Sequence, residues 1–358
     1  MGATTRNSPS TSSVDVSNSS DLRIPMGYQP HRVRVARTRQ ISPHFQRITL
    51  HGVENVGPKD TIRDIRIKVI IPAAGQLPAL PKENWFATWQ TLDPETRGYV
   101  RTYSIRAFRR NLPDDAPDEL DIDFVLHPDA AGPASAWAAK AQVGDELLII
   151  APTRDDESGT GIEFAPGASS HIVMLGDETA LPAIAKTLEE WPAEVQGEVF
   201  IEIPCTTDAQ ELEVPSGVSV KWLARAEDEH DTSGELLYSN LVKLVSNALS
   251  PVAREALSNV LEGNTAATTA STGGDDPNFL VWETPSYSQS GEDISNSSDE
   301  DKANAESPNP TLTGTYFWIA GESSAVIRMR RLLVKECHVP RKQVSFMGYW
   351  KRGQAAKG

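Results

Sequence analysis

The spacing of apolar runs changes near residue 170, and that change limits the chain to few architectures. Before it, short strand-like runs bounded by Pro, Gly and Asp recur at Val33–Arg39, Phe45–His51, Ile65–Ile71, Val100–Ala107, Leu120–Leu126 and Glu146–Ala151. Six strands at this spacing predict a small barrel or sandwich. A short helix, Ala134–Ala141, follows the Gly132-Pro133 turn. After residue 170, His171–Leu175 is almost continuously apolar, as in a sheet covered on both faces. A helix over 180–191 places Leu181, Ile184, Ala185 and Leu188 on one face, with Pro182 in its first turn, where no backbone donor is needed. Strands Glu198–Ile203 and Val218–Leu223, helical material from Glu235 to Leu261, strand Tyr316–Ala320, helix Ser323–Lys335 and strand Val344–Phe346 complete the series. Strands alternating with helices predict a doubly wound parallel sheet. The expected division is a six-stranded antiparallel barrel domain at 30–165 and an α/β domain at 166–353.

The rest of the chain has a different composition. Residues 1–29 are polar, have no apolar core of a secretory signal, and read as a disordered tail; 354–358 form a short tail at the other end. Residues 262–314 are rich in Ser, Thr, Asn, Gly and Asp and read as a disordered acidic insertion. Ten carboxylates and one lysine at 262–310 supply nine of the fifteen net negative charges. The body is therefore only mildly acidic, and no basic surface suggests a nucleic-acid partner. The one apolar island in the insertion, Phe279–Trp282, is expected to pack onto the body. Asp155–Gly161 reads as a smaller loop insertion. No apolar run approaches the roughly 20 residues of a membrane span. Cys205 and Cys337 lie far apart and outside any C-x-x-C, and the seven histidines show no ligand spacing, so no metal site is expected from spacing. This usage suits a reducing, cytoplasmic setting.

Two stretches carry recognisable chemistry. Arg101-Thr-Tyr-Ser-Ile-Arg106 alternates cations with an aromatic and hydroxyls: Arg can fork onto a phosphate, Tyr can lie against a flat ring, and Ser can hydrogen-bond a ring nitrogen. About thirty residues later come His127 and Gly132-Pro-Ala-Ser-Ala-Trp137, whose helix start offers backbone N–H groups to a pyrophosphate. Together they describe a flavin dinucleotide site, with Trp137 as packing. Two strand–Gly–helix turns follow, at Gly176 and Gly321. Both fall on the carboxyl edge of the expected parallel sheet, where ligands bind in such folds.

With these motifs in order, the chain resembles the siderophore-interacting proteins, FAD-containing ferric-siderophore reductases related to the ferredoxin–NADP reductases. Further stretches that carry the resemblance are Ile67–Pro72, Asp123–His127, Val143–Asp145, Gly176–Ala183, Trp318–Ser324 and Gly348–Gly353. It covers roughly 30–260 and 314–353; the 262–314 segment departs from the family pattern, as does the loop at 155–161. The resemblance implies that Arg101, Thr102, Tyr103, Ser104, Arg106 and His127 contact FAD, with Gly132, Pro133, Ala134 and Ser135 at its pyrophosphate. It implies that Gly176, Asp177, Thr179, Ala180, Gly321, Glu322 and Ser323 line a site for NADPH or NADH. Tyr349, Trp350, Lys351 and Arg352, aided by Lys68, are expected at the ferric siderophore.

The implied reaction passes electrons from a nicotinamide through the flavin to iron(III), and needs no catalytic base. Fe(II) prefers hard oxygen ligands less, so reduction loosens the metal. The resemblance also implies a monomer, and is compatible with transient contact with a membrane transporter. Alternatives are a general flavin or ferredoxin-type reductase serving a protein partner, and a flavin-containing protein that binds ferric siderophore without turnover. A third is an acidic scaffold acting through 262–314. The choice between NADH and NADPH, and the siderophore class, stay open at this level.

Overall fold

A computed structural model describes residues 27–73, 75–127, 132–227, 232–264, 280–285, 287–288 and 312–353. The first sheet is antiparallel and has seven strands, in the order β4-β3-β7-β1-β2-β6-β5. They are β1 (Tyr28–Ser42), β2 (Phe45–His51), β3 (Arg66–Ile71), β4 (Tyr99–Ser104), β5 (Ala107–Arg109), β6 (Glu119–Val125) and β7 (Glu146–Pro152). One more strand is present than the six expected, because the run Val100–Ala107 breaks after Ser104. At the break Ile105 donates its N–H to Ile65 O beside β3, and Arg106 donates to Asp121 O on β6. The chain thus steps from one edge of the sheet to the other, which is what curls the sheet into a barrel shape. β1 begins before Val33, so Tyr28 and Gln29 belong to the sheet and not to a disordered tail; residues 1–26 lie outside the described residues.

Val33, Val35, Ile48, Leu50, Ile67, Val69, Ile122, Phe124, Leu147 and Ile149 fill the inside of the curl. The opposite face of β3, β4 and β7 packs on helix α1 (Trp85–Thr91), which the apolar pattern did not predict; Trp85 and Trp89 are buried there against Ile70, Val100 and Ile150. Helix α2 (Pro133–Ala138) packs on β3, β4 and β6. The loop 155–161 folds back on β1: the Tyr28 hydroxyl donates to the carbonyls of Arg66 and Thr160 at 3.0 and 3.1 Å.

On the outer face, Arg37 and Arg109 grip Glu119, and Arg109 forks onto Asp121 at 2.8 Å. The hydrogen bond from Arg37, then that from Arg109, holds the Glu119 carboxyl down at about 2, although burial opposes them. A carboxyl depressed on folding contributes stability above its unfolded value, lost as pH falls through the folded one. We expect Glu119→Gln to flatten the acid limb of unfolding between pH 4.5 and about 2, removing about 1 kcal/mol because Arg37 is exposed. Urea melts of both proteins across that range would check this.

The second sheet follows the order β10-β9-β8-β13-β14-β11-β12. β8 (His171–Gly176), β9 (Gln196–Ile203), β10 (Val218–Ala224), β13 (Thr315–Glu322) and β14 (Val344–Trp350) are parallel, as expected. β11 (Trp282–Thr284) and β12 (Tyr287–Ser288) add an antiparallel edge. The covering helices are α3 (Leu181–Glu189), α4 (Glu235–Ala248), α5 (Pro251–Asn264) and α6 (Ser323–Arg330), the last continuing as a π-helical turn over Arg331–Glu336. The expected disordered insertion therefore contains ordered parts: α5 runs through Asn264, and Trp282–Thr284 pairs with β14. Of the apolar island, Val281 is buried and Trp282 packs as expected, while Phe279 lies outside the described residues. The Trp282 ring stacks on Tyr349 at 6.1 Å, and Arg66 lies over the Trp282 ring at 3.9 Å.

The two sheets share a buried face. Phe45 and Phe164 pack into the cluster of Ile172, Met174, Tyr316, Trp318 and Met347. Asp64, fully buried, accepts from Trp318 Nε1 at 2.8 Å and from the backbone of Glu163 and Phe164. Burial first, and the nearby Glu163 carboxylate, push Asp64 up to about 6.

Candidate functional site

Sequence alternation along β4 sorts the predicted flavin residues onto two faces. Arg101 and Tyr103 sit opposite Val69 and Ile67, whereas Thr102 and Ser104 sit opposite Lys68 and Arg66. Tyr103 packs on Phe124 at 4.4 Å between ring centroids, and Phe124 in turn meets Trp137 at 5.6 Å, so Trp137 is packing. Arg101 is half-buried and hydrogen-bonds its neighbour's carbonyl, Val100 O, at 2.7 Å. Among the described residues no carboxylate pairs with it, and burial lowers its affinity for its proton. A buried guanidinium without a counter-charge fits an anionic ligand such as a pyrophosphate.

The neighbouring turn supports the same fit. Ser135, at the start of α2, accepts the N–H of His127 at 2.9 Å, which ties the strand end to the helix. Gly132 faces open space, with nothing within 4 Å of where a side chain would begin. Pro133 opens α2 and Ala134 is buried beneath it. His127 itself is exposed at the end of β6.

The other face of β4 differs from expectation. Arg106 forms an ion pair with Glu189 at the end of α3, at 2.6 Å, bridging the two sheets instead of standing open to a phosphate; its Nε is buried without a partner. Lys68 is buried, with Nζ 2.7 Å from Thr102 Oγ1, so it is not an exposed cation awaiting a ferric chelate. Arg66, which sequence reasoning passed over, holds Glu163 and covers Trp282. The Tyr349 hydroxyl is turned toward Ser104 without the geometry of a hydrogen bond, and burial strongly raises its affinity for its proton. The buried Arg106 Nε and Tyr349 hydroxyl lack partners at the junction of the sheets, whereas Arg101 lies on the other face of β4, beside α2.

The two glycine turns of the parallel sheet come together as the pattern predicts. In the order β10-β9-β8-β13-β14 the connection reverses between β8 and β13, where Ala320 pairs with Gly176. Both glycines are required by close approach. A Cβ on Gly176 would lie 2.7 Å from Ala180 Cβ and Ile184 Cδ1, and one on Gly321 (φ +151°) 2.6 Å from Asp177 Oδ2. Two N–H groups of these turns, those of Thr179 and Glu322, are taken up by Asp177. Asp177 Oδ1 accepts from Thr179 N and Oγ1, at 2.9 and 2.5 Å. Its Oδ2 accepts from Glu322 N at 2.8 Å and Trp350 Nε1 at 2.7 Å. Glu322 caps α6 by accepting Ala325 N at 3.0 Å, and Ser323 is fully buried behind it.

Burial, then repulsion from Glu178, pushes the Asp177 carboxyl up to about 7, against the pull of Thr179 and Trp350. Trp350 and Arg352 thus belong to this edge: Arg352 donates its N–H to Glu322 at 3.3 Å, and its side chain reaches Ser233 at 3.5 Å. Of the C-terminal residues assigned to the siderophore, Tyr349 stacks on Trp282, while Trp350 Nε1 donates to Asp177 and the Arg352 N–H donates to Glu322. Lys351 follows half-buried between them.

Comparison with known proteins identifies the family. Residues 34–156 match the siderophore-interacting FAD-binding domain, and residues 169–353 match the siderophore-interacting protein family model. Among curated proteins, the ferric vibriobactin reductase ViuB of Vibrio cholerae is 33% identical over 198 residues, covering 55% of this chain and 67% of ViuB. An NADPH-dependent ferric-chelate reductase of Escherichia coli is 27% identical over 216 residues, covering 56% of this chain and 78% of that one. The crystal structure of the siderophore-interacting protein SipS from Aeromonas hydrophila aligns with TM-score 0.55 at 26% identity, over 92% of this chain and 94% of that one. A siderophore utilization protein from T. fusca shares the fold, with TM-score 0.58 at 22% identity over 94% and 97% of the two chains. A curled antiparallel sheet matching the FAD-binding domain, joined to a parallel sheet that matches with it the rest of the family model, places this chain in the siderophore-interacting protein family.

Proposed function

We propose that this protein holds FAD along β4 and α2 and uses NADPH or NADH to reduce a ferric siderophore, freeing iron as Fe(II). The observation that carries the reading is Arg101, a half-buried cation with no carboxylate partner among the described residues, on the face of β4 shared with Tyr103 and next to α2. In this reading Arg101 neutralises the pyrophosphate, with the open turn at Gly132 and the N–H groups of Ala134 and Ser135 beside it. Tyr103, fixed by Phe124, offers a flat surface, and Ser104 and Tyr349 present hydroxyls at the junction of the sheets. FAD, when bound, supplies the conversion from a two-electron donor to a one-electron acceptor such as iron(III). One hydride carries two electrons, so each nicotinamide oxidised releases two Fe(II).

The donor is assigned to the edge formed by Gly176, Asp177, Thr179, Ala180, Gly321, Glu322 and Ser323. These residues would line it, with the N–H groups of Thr179 and Glu322 already taken by Asp177. Names of the relatives support the chemistry: one is called a ferric vibriobactin reductase, one a ferric acinetobactin reductase and one an NADPH-dependent ferric-chelate reductase.

Arg101→Ala is the direct test of the flavin placement. Loss of a charge-assisted contact costs about 1.5–3 kcal/mol, or roughly ten- to a hundredfold in FAD affinity. The variant should purify with little FAD and need added FAD to form Fe(II) in a chelator-trapping assay with a ferric siderophore and NADPH. An unchanged dissociation constant for FAD would remove Arg101 from the site.

A further inference from the structure

Far apart in the sequence, the β1–β2 turn and the turn after β9 meet where the two sheets adjoin, and three donor atoms of different chemistry converge there. Asp208 Oδ2 lies 2.7 Å from His44 Nδ1 and 2.9 Å from Cys205 Sγ, and Sγ is 3.8 Å from Nδ1. Among the described residues this is the one group of three His, Cys, Asp or Glu side chains whose donor atoms all lie within 4.8 Å of one another. Tetrahedral zinc, with bonds of about 2.0 Å to nitrogen and oxygen and about 2.3 Å to sulfur, separates its ligand atoms by roughly 3.3–3.6 Å. The Cys–His separation is already close to that, and a carboxylate shift of about half an ångström would open the centre.

The surroundings hold the donors in place from behind. Asp208 Oδ1 accepts from Ser42 Oγ at 2.7 Å and from His44 N at 3.0 Å, while Oδ2 accepts the Cys205 N–H at 3.3 Å and faces the other two donors. Thr207 Oγ1 lies 3.0 Å from the Cys205 sulfur. Outer contacts of this kind orient ligands in built metal sites. Asp208 is fully buried whereas His44 and Cys205 are partly exposed, so a fourth position opens to solvent.

We propose that His44, Cys205 and Asp208 form a three-ligand site for a zinc-class divalent ion, with water as fourth ligand, that clamps the β1–β2 turn to the end of β9. A thiolate, an imidazole and one carboxylate suit zinc and disfavour magnesium or calcium. Binding replaces the Cys205 thiol proton, which leaves to solvent, so affinity rises with pH. The clamp would act beside the flavin turn, because His44 O accepts the N–H of Leu126, the residue before His127, at 2.8 Å. It would stabilise the joined sheets by mass action without entering the electron path.

Titration of the full-length protein with Co(II) tests this directly. One equivalent should bind with a sulfur-to-cobalt charge-transfer band and strong d–d bands in the red, clear of flavin absorption, and zinc should displace it. Both bands should vanish in Cys205→Ser and weaken in His44→Ala. Weak octahedral spectra without a thiolate band, or a band that survives in Cys205→Ser, would overturn the site. Should the variants fold poorly, the unmodified protein gives the answer: zinc should strongly slow alkylation of Cys205 by iodoacetamide, mapped by mass spectrometry. Cys337 is buried and serves as the unreactive reference. An alkylation rate indifferent to zinc would show a hydrogen-bonded clasp and no metal site.

Discussion

Arg225→Met is expected to destabilise the protein by about 3–5 kcal/mol at neutral pH, because it leaves buried carboxylates without their counter-ion. Arg225 forks onto Glu178 at 2.7 and 2.8 Å and reaches Glu202 at 3.1 Å, and both glutamates are almost wholly buried. Glu202 also accepts the N–H groups of Gly234 and Leu237 at 2.7 and 3.3 Å, so its negative charge sits at the N-terminus of α4. Even with Arg225 present, burial raises the Glu202 carboxyl. Without the guanidinium the Glu202 carboxyl should rise further. A raised carboxyl penalises the folded state above its folded pKa and is relieved as pH falls, so the deficit should shrink in acid. Chemical denaturation of both proteins at several pH values would check size and sign together. A deficit under 1 kcal/mol at neutral pH would mean that water reaches the pair.

Asp177 should impose a pH dependence on nucleotide binding. Its carboxyl, at about 7, is half ionised near neutrality, at the edge where the proposal puts an anionic dinucleotide. A nearby anion favours the protonated form, so NADPH should bind more tightly as pH falls from 8 to 6, by about tenfold, or 1.4 kcal/mol. Asp177→Asn should flatten that profile. The same group affects folding with a defined sign. Its pKa is raised from 3.8 to about 7, so the cost of its charge is absent below the lower value, grows between the two and is complete above about 7. Stability from this group therefore falls as pH rises through that window. Equilibrium binding of NADPH followed across the range, with FAD in place, separates the two effects. A flat profile in the unmodified protein would place the dinucleotide phosphates away from Asp177.

Local pattern made much of this legible. The two halves and the two glycine turns on the carboxyl edge of the parallel sheet follow from periodicity and turn chemistry, because each element's pattern is set by which faces it buries; the strand order, and with it the reversal point, does not. Single side-chain partners were not legible. Arg106 and Lys68 look like ligand-seeking cations in the sequence, yet Glu189 and Thr102 take them up from elements far away in the chain. The breaking of the Val100–Ala107 run needed knowledge of both sheet edges, since Ile105 and Arg106 bond to different strands. Helix α1 escaped because Trp85 and Trp89 supply its apolar face in barely two turns. The His44, Cys205 and Asp208 cluster could not be read from spacing, because His44 is 161 residues from Cys205 and 164 from Asp208.

The measurement that bears most directly on the proposed reductase is the visible spectrum of the FAD-loaded protein under anaerobic conditions, first with NADPH or NADH and then with a ferric siderophore. Flavin absorbance should bleach with one of the nucleotides and return when the ferric chelate is added, as two Fe(II) per nucleotide appear at a trapping dye. Flavin that neither nucleotide bleaches, or bleached flavin that the ferric chelate does not restore, would contradict the reductase and leave only binding.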